Sequence, residues 1–431
     1  MIPSALLLAA ALQQAPAQPP AAAAAAPPAQ VLTLDDAVRL ARENAPSLRS
    51  ARAGADAANA RAYQSLAPLL PQLSATAGLE RSTSNPSLPS GTQSWDMRNS
   101  LSYSATATQT VIDLPAFARY GAARASARAG EGSARAAELD AVLAARSAFF
   151  QARASRSLVD VARISLENQE AHYRQIEAFV QQGMRPPIDL AQARTDRANA
   201  KAKLVSSEND YATARVRLNQ AIGVVGTTDY EVAAAPFPAV DGEERPLEVQ
   251  LAEAVAALPD LAAAEAQLLA AERSLSAAQG GWFPRLGLTA SAAEAGPDGS
   301  NLTWNGSIGG TLSWALFQGG LTRAQVAEAR ANVEAQRAQR DLLLQQVRAD
   351  VDSARLSVRA ALALLDADRE AVEAARDRQR LAEARYTSGA GSSLELSDAI
   401  LARTSAEAQL VQAEFQLAQA RAKLLRALGR G

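Results

Sequence analysis

Between Asn301 and Leu316 the chain alternates without a break. Leu302, Trp304, Gly306, Ile308, Gly310, Leu312, Trp314 and Leu316 fall on one side, and Asn301, Thr303, Asn305, Ser307, Gly309, Thr311 and Ser313 on the other. A period of two with one apolar and one polar side marks a strand whose faces meet different surroundings. Weaker alternation runs through Leu73/Ala75/Ala77/Leu79, Leu101/Tyr103/Ala105/Ala107 and Leu286/Leu288/Ala290/Ala292. The pattern predicts strands at about 72–83, 98–112, 285–294 and 301–317. The polar segments Ser82–Asp96 and Glu294–Ser300 join them pairwise into hairpins.

Elsewhere the period is helical, as in Leu344, Val347, Val351, Val358, Leu362 and Leu365. No Pro interrupts the chain from about Phe117 to Gln182, and a similar run extends from Leu321 to Ser388. Helices of roughly 65 residues would reach about 95 Å at about 1.5 Å per residue. A second long helix follows each run, from Gly183 to Gly223 and from Gly389 to Gly429. Shorter helices are predicted from Leu34 to about Leu66 and from Pro246 to about Gln279. Pro68 and Pro71 stop the first and Pro284 the second.

These elements occur twice. Leu70-Pro71-Gln72-Leu73 matches Phe283-Pro284-Arg285-Leu286, and Pro46-Ser47-Leu48 matches Pro259-Asp260-Leu261 in the same register. Downstream, one shift pairs Gly183 with Gly389, Leu190 with Leu396, Ala193 with Ala399, Glu208 with Glu414, Arg215 with Arg421 and Gly223 with Gly429. The matched Pro and Gly punctuation indicates a tandem repeat. The first copy spans 31–223 and the second 246–431, with 224–245 connecting them. The fold class expected is mainly α with a small β part.

Composition narrows the setting. Lys+Arg number 43 and Asp+Glu 45, so no basic surface calls for nucleic acid. Cys is absent, which removes disulfides, thiolate metal sites and a Cys nucleophile. Aromatics make up only 4% of an Ala-rich chain, which suits long helices lying close together better than a bulky core. Residues 1–30 read as an export leader followed by a Pro/Ala-rich linker. The leader is the short apolar run Ala5–Leu12 before Ala15-Pro16-Ala17, with no Lys or Arg ahead of it. Outside the leader no apolar stretch is long enough for a membrane helix. Membrane insertion would therefore use a β-barrel. Trp95, Tyr103, Trp304, Trp314 and Phe317 lie near strand ends, as aromatics do at membrane interfaces. Four strands cannot close a barrel, since closure starts near eight, so a barrel needs several chains: about eight strands in a dimer or twelve in a trimer. The competing reading is a structural periplasmic coiled-coil protein anchored by its hairpins.

The order and doubling of these segments resemble the TolC family of outer-membrane efflux proteins over about residues 31–429. The carriers are Leu34-Asp35-Asp36-Ala37-Val38, the paired Leu-Pro-Gln-Leu and Phe-Pro-Arg-Leu strand starts, and a turn reading Ala384-Arg385-Tyr386-Thr387-Ser388-Gly389, then Leu394-Glu395-Leu396-Ser397-Asp398-Ala399. The resemblance implies a homotrimer whose twelve strands form an outer-membrane barrel in contact with lipid. A helical tunnel would continue the barrel through the periplasm. A periplasmic adaptor and an inner-membrane transporter would dock at the inner end. It implies a passive duct, with no catalytic residue, cofactor or metal.

The inner end falls at the turns of Gly183 and Gly389. The resemblance makes Gly183, Met184, Arg185, Gly389, Ala390 and Gly391 candidate adaptor contacts, and Glu395, Asp398, Asp189 and Tyr386 candidates for the pore constriction. Three copies would gather negative charge in a narrow mouth and favour cations. Helix capping alone also accounts for the acids: Ser392 and Glu395 have capping-box spacing, and Asp189 sits in a first turn after Pro186-Pro187. A basic residue that some family members carry after the second glycine is Gly391 here, and Arg185 in the other turn is the available substitute. The single histidine, His172, reads as a solvated residue of a helix face. With one His, no zinc site or Ser–His–Asp set can be assembled.

Overall fold

The structure is a computed structural model that describes residues 30–84, 96–226, 230–234, 238–297 and 302–431. The expected leader, almost all of the linker, Trp95 and Asn301 lie outside the described residues. Gln30, assigned above to the linker, is the first residue of a strand.

The chain opens with β1 (Gln30–Leu32), α1 (Leu34–Asn44) and α2 (Pro46–Leu66), then a short 3-10 turn at Ala67–Leu69. A hairpin of β2 (Gln72–Ser84) and β3 (Asp96–Ile112) leads into α3 (Leu114–Gln181) and α4 (Pro187–Ile222). After β4 (Tyr230–Val232) the order resumes with α5 (Leu247–Ala257), α6 (Pro259–Gly280), β5 (Arg285–Pro297), β6 (Thr303–Ser313), α7 (Leu321–Thr387) and α8 (Ser393–Ala427).

The two opening helices expected to be continuous are each broken. Pro46 and Pro259 stand at the breaks, and α5 and α6 meet at 54°. Proline has no N–H for the helix ladder and pushes the residue before it out of the α region. Ala45 and Leu258 accordingly take ψ 121° and 119°. A second difference is the last strand, which stops at Ser313, so Trp314, Leu316 and Phe317 follow it. The connecting segment is also not plain coil, since Gln30–Leu32 pairs in parallel with Tyr230–Val232.

The long helices α3 and α7 have 68 and 67 residues, on the order of 100 Å each. Side chains start two of the downstream helices: Asp113 accepts from the Ala116 N–H at 3.0 Å and Ser392 from the Glu395 N–H at 3.1 Å. Small residues let the helices approach closely. A Cβ on Gly132 of α3 would lie 2.9 Å from the Ala263 Cβ of α6.

Near mid-length the helices share their main core. Phe149 and Phe150 of α3 meet edge to face, with centroids 5.4 Å apart, among Ala41, Leu218, Ile222, Val232, Val351, Val358 and Leu424. The connecting segment is strapped onto this waist. Arg421 of α8 makes a two-pronged pair with Glu243, at 2.8 and 2.9 Å, with both side chains about nine-tenths buried. Gln250 donates to the Gly242 carbonyl at 2.9 Å. Burial and bidentate geometry are the conditions under which an ion pair fixes one arrangement. A second, smaller core binds the far ends of α3, α4, α7 and α8.

Candidate functional site

Two regions carry the expected functional residues. The first is the sheet. Its antiparallel order is β2-β3-β5-β6. Directly opposed residues share a face, so the register sorts the side chains. One face holds Leu73, Ala75, Ala77 and Leu79 of β2, then Leu101, Tyr103, Ala105 and Ala107 of β3. It continues with Leu286, Leu288, Ala290 and Ala292 of β5, and Trp304, Ile308 and Leu312 of β6. The other face holds Ser74 and Thr76, Ser102 to Thr108 at alternate positions, Thr289 and Ser291, and Ser307 and Thr311. Hydroxyls meet across the strands there, Thr76 with Ser104 at 2.7 Å and Ser291 with Ser307 at 2.8 Å.

The apolar face is bare. Leu73 is 81% exposed, Ile308 86% and Trp304 71%. None of the described residues covers these side chains, and an exposed apolar patch of this kind marks a contact with membrane or protein. The strands, 11 to 17 residues long, equal or exceed the nine to eleven residues that cross a bilayer. The aromatics divide between the two ends. Tyr103 and Trp304 share one rung with Glu294 and Ala77 near the hairpin loops, and the Trp304 ring lies over Gly306, where a Cβ would sit 2.7 Å from it. Trp314 is at the helix end, its indole N–H donating to the Trp282 carbonyl at 3.0 Å, and Phe317 follows it, exposed.

The second region is the pair of turns at the opposite end. Both close in the same way. Gly183 N–H bonds to Val180 and Met184 N–H to Phe179, while Gly389 N–H bonds to Tyr386 and Ala390 N–H to Arg385. This is the Schellman pattern, and it needs φ > 0 at the glycine, here +71° and +77°. The turns adjoin. Arg185 donates to the Gly391 carbonyl at 3.5 Å, and its guanidinium carbon stands 5.1 Å from the Tyr386 ring centroid.

Tyr386 is not an open pore residue within the chain, being 3% exposed and packed against His172 and Phe179 of α3. Burial pushes its phenol up, Arg185 pulls it down and Asp189 pushes it up, with burial prevailing, so the ring stays neutral. Glu395 is half-buried and paired with Arg385 at 3.3 Å, while its backbone N–H is capped by Ser392. Capping and ion pairing therefore coexist at this residue. Asp398 is exposed and Asp189 half-buried. Met184, Gly183, Gly389 and Ala390 are exposed at the extremity, with Gly391 half-buried behind them.

His172 corrects the sequence expectation. It is 5% exposed, inside the cluster rather than on a solvated face. Alternation of small and polar residues on an Ala-rich helix conceals which side is buried until the partner helices are placed. Two further residues were missed. Asp196 of α4 accepts from Ser397 of α8 at 2.7 Å, tying the hairpins together, and Arg385 holds Glu395. The doubled turn located Arg385, but no local pattern pointed to Asp196. Charges between Asp366 and Arg380 of α7 are both solvated and inter-helical: Asp366–Arg369 and Asp377–Arg380 pair along the helix, and Arg376 also reaches Glu407 of α8.

A mainly helical chain that sets a small bare-faced sheet at one end and paired turns at the other has the build of an outer-membrane channel subunit. The sequence profile of the outer membrane efflux protein family matches residues 37–224 and 251–430, and the chain belongs to that family. It is 27% identical over 420 residues to the toluene efflux pump outer membrane protein TtgC of Pseudomonas putida, covering 92% of this chain and 83% of the relative. It is 27% identical over 412 residues to the pyoverdine export outer membrane protein OpmQ of Pseudomonas aeruginosa, covering 92% and 85%. Among solved structures, the CmeC outer membrane channel of Campylobacter jejuni superposes with a TM-score of 0.83 over 92% of this chain and 85% of that one, at 18% identity. Family members are channels, and the protein is an outer-membrane efflux component with its helices in the periplasm.

Proposed function

We propose that three copies of this chain form a passive exit duct through the outer membrane, closed at the tip turns. A periplasmic adaptor and an inner-membrane transporter engage it there. The observation that carries the reading is the sheet: four strands with one bare apolar face, one hydroxyl face and an unpaired edge on each outer strand, β2 and β6. Open edges invite another strand, and closure near eight strands or more requires other chains. Three copies give a twelve-stranded barrel with the apolar face to lipid and the hydroxyls to water. The helical layer extends the same logic. Val205 and Val216 on α4 and Leu342, Leu356 and Leu381 on α7 are exposed, and they are suited to meet each other between neighbouring copies. The matching element order on either side of residues 224–245 supports a tandem repeat, each copy giving one hairpin and one tip.

In this duct Glu395, Asp398 and Asp189 ring the mouth and favour cations. Arg185 and Tyr386 hold the two turns of a chain together, and an adaptor seated on Gly183, Met184, Gly389 and Ala390 would compete with that contact. Selection of cargo belongs to the transporter: relatives equally distant from this chain carry toluene in one name and pyoverdine in the other. Planar-bilayer recording of the purified protein tests the reading. The expected result is a cation-selective conductance whose selectivity falls in Glu395→Gln/Asp398→Asn. A soluble, monomeric and non-conducting protein would overturn it.

A further inference from the structure

The only histidine of the chain lies at the place where the two helical hairpins are joined. His172 of α3 is 5% exposed, and its ring meets the Tyr386 ring of α7 edge-on, centroids 5.6 Å apart. Tyr386 belongs to the apolar cluster of Ile176 of α3, Ala193 of α4, Ala382 of α7 and Leu396, Ala399 and Ile400 of α8. The polar atoms inside are poorly served. Among the described residues no atom hydrogen-bonds to His172 Nδ1, to the Tyr386 hydroxyl or to Oε1 of Gln169, one turn earlier on α3. Buried polar atoms without protein partners are places where an ordered water completes the bonding. A neutral imidazole is tolerated there, whereas an imidazolium would put a charge among Leu, Ile and Ala side chains.

We infer that His172 is a proton-operated wedge: its protonation loosens the contact between the α3/α4 and α7/α8 hairpins and frees the tip turns. The charged groups around the ring decide how strongly. Burial, the largest influence, disfavours the charged imidazole, while from α4 Asp196 and then Asp189 favour it. Arg185, in the turn before α4, holds its guanidinium over the Tyr386 ring. From α7 the facing titratable group is Tyr386 itself, which stays neutral. From α8 the facing residues are apolar, and the nearby acids are Glu395, held by Arg385, and exposed Asp398. On α3, Glu170 and Arg174 are exposed. Burial outweighs the two aspartates and holds the imidazole below its ordinary 6.5.

The sign follows from linkage. A histidine whose packed value is depressed takes its proton more readily when released, so the packed tip is fully stable above about 6.5 and loses stability as pH falls from there through the depressed value. Ordinary carboxylates titrate near 4, and their step is told apart from this one because it persists when His172 is replaced. The contact that is loosened is also the one Arg185 and Tyr386 make, so an acidic periplasm would lower the resistance an adaptor must overcome. This last consequence rests on the duct reading; the wedge itself does not.

Because the chain has one histidine and no cysteine, two clean probes exist. The protein is purified without a polyhistidine tag. NMR of 13C-histidine then follows His172 alone. Spin labels on Met184→Cys and Ala390→Cys, both exposed, report the separation of the turns. The expected result is titration below 6.5 and a spin-label distribution that lengthens and broadens with the same midpoint. In bilayers the conductance rises with it too. His172→Gln, and His172→Phe as a second variant that keeps the cluster apolar, lose that step. Unchanged label distances while His172 protonates, or the same step in both variants, would overturn the proposal. Label distances that respond in a protein that never conducts would uphold the wedge and remove the duct.

Discussion

The two tip turns share one backbone and carry different side chains. Both are Schellman turns on a left-handed glycine, closed by the same pair of hydrogen bonds. The first is followed by Arg185 and two prolines; the second ends a helix in Arg385-Tyr386 and restarts through Ser392. Where the first turn offers a cation, the second offers an aromatic ring and a carbonyl, and Arg185 takes both. The same corner is built twice, and different side chains at a few positions make the two complementary. One turn is the key and the other the lock, within a single chain.

The strongest way to break this comparison is to remove the lock. Tyr386→Ala empties a buried aromatic site, and large-to-small aromatic changes typically cost about 3–5 kcal/mol. Local unfolding of the tip, read by hydrogen exchange of the last turns of α3 and α7, should become far easier while the waist around Phe149 stays protected. Equal loss of protection at the waist would mean the tip is not a separate unit. Removing the key costs less. Arg185→Ala deletes a half-buried cation–ring contact of about 1–2 kcal/mol. It should raise the open probability in bilayers, with Arg185→Lys intermediate; an unaltered open probability would show the contact to be incidental. The smallest effect distinguishes the turns by their caps. Ser392→Ala should cost about 1 kcal/mol at the start of α8. Residue 186, the corresponding position of the first turn, is a proline with no side-chain cap, so Pro186→Ala should leave hydrogen exchange at the start of α4 nearly unchanged.

Much of the architecture was legible in the residues. Strict alternation from Thr303 to Ser313 needed no partner to be read, because a period of two is local. The glycines at 183 and 389 were legible for the same reason: a left-handed corner demands one residue type. Pro46 and Pro259 were visible as repeat markers, yet the helices were expected to run past Ala45 and Leu258. The break is a consequence of the proline's effect on the residue before it, and helical periodicity on both sides hides it. The parallel pair of Gln30–Leu32 with Tyr230–Val232 joins segments two hundred residues apart, and no short-range signal announces such a contact. At the tip, the family resemblance pointed to Tyr386 and Arg185. That Tyr386 turns inward onto His172, and that Asp196 reaches Ser397, depends on four helices meeting, which no single helix encodes.

The single chain leaves its sheet incomplete. A sheet with a bare apolar face and an open edge on each side is not a finished object, whereas the waist and the tip bury their own cores. The most direct test is the native mass of the detergent-solubilised protein, released into the gas phase without cross-linking. The account predicts three chains in one particle, surviving loss of the detergent micelle. A particle of one chain, with β2 and β6 remaining unpaired, would contradict it.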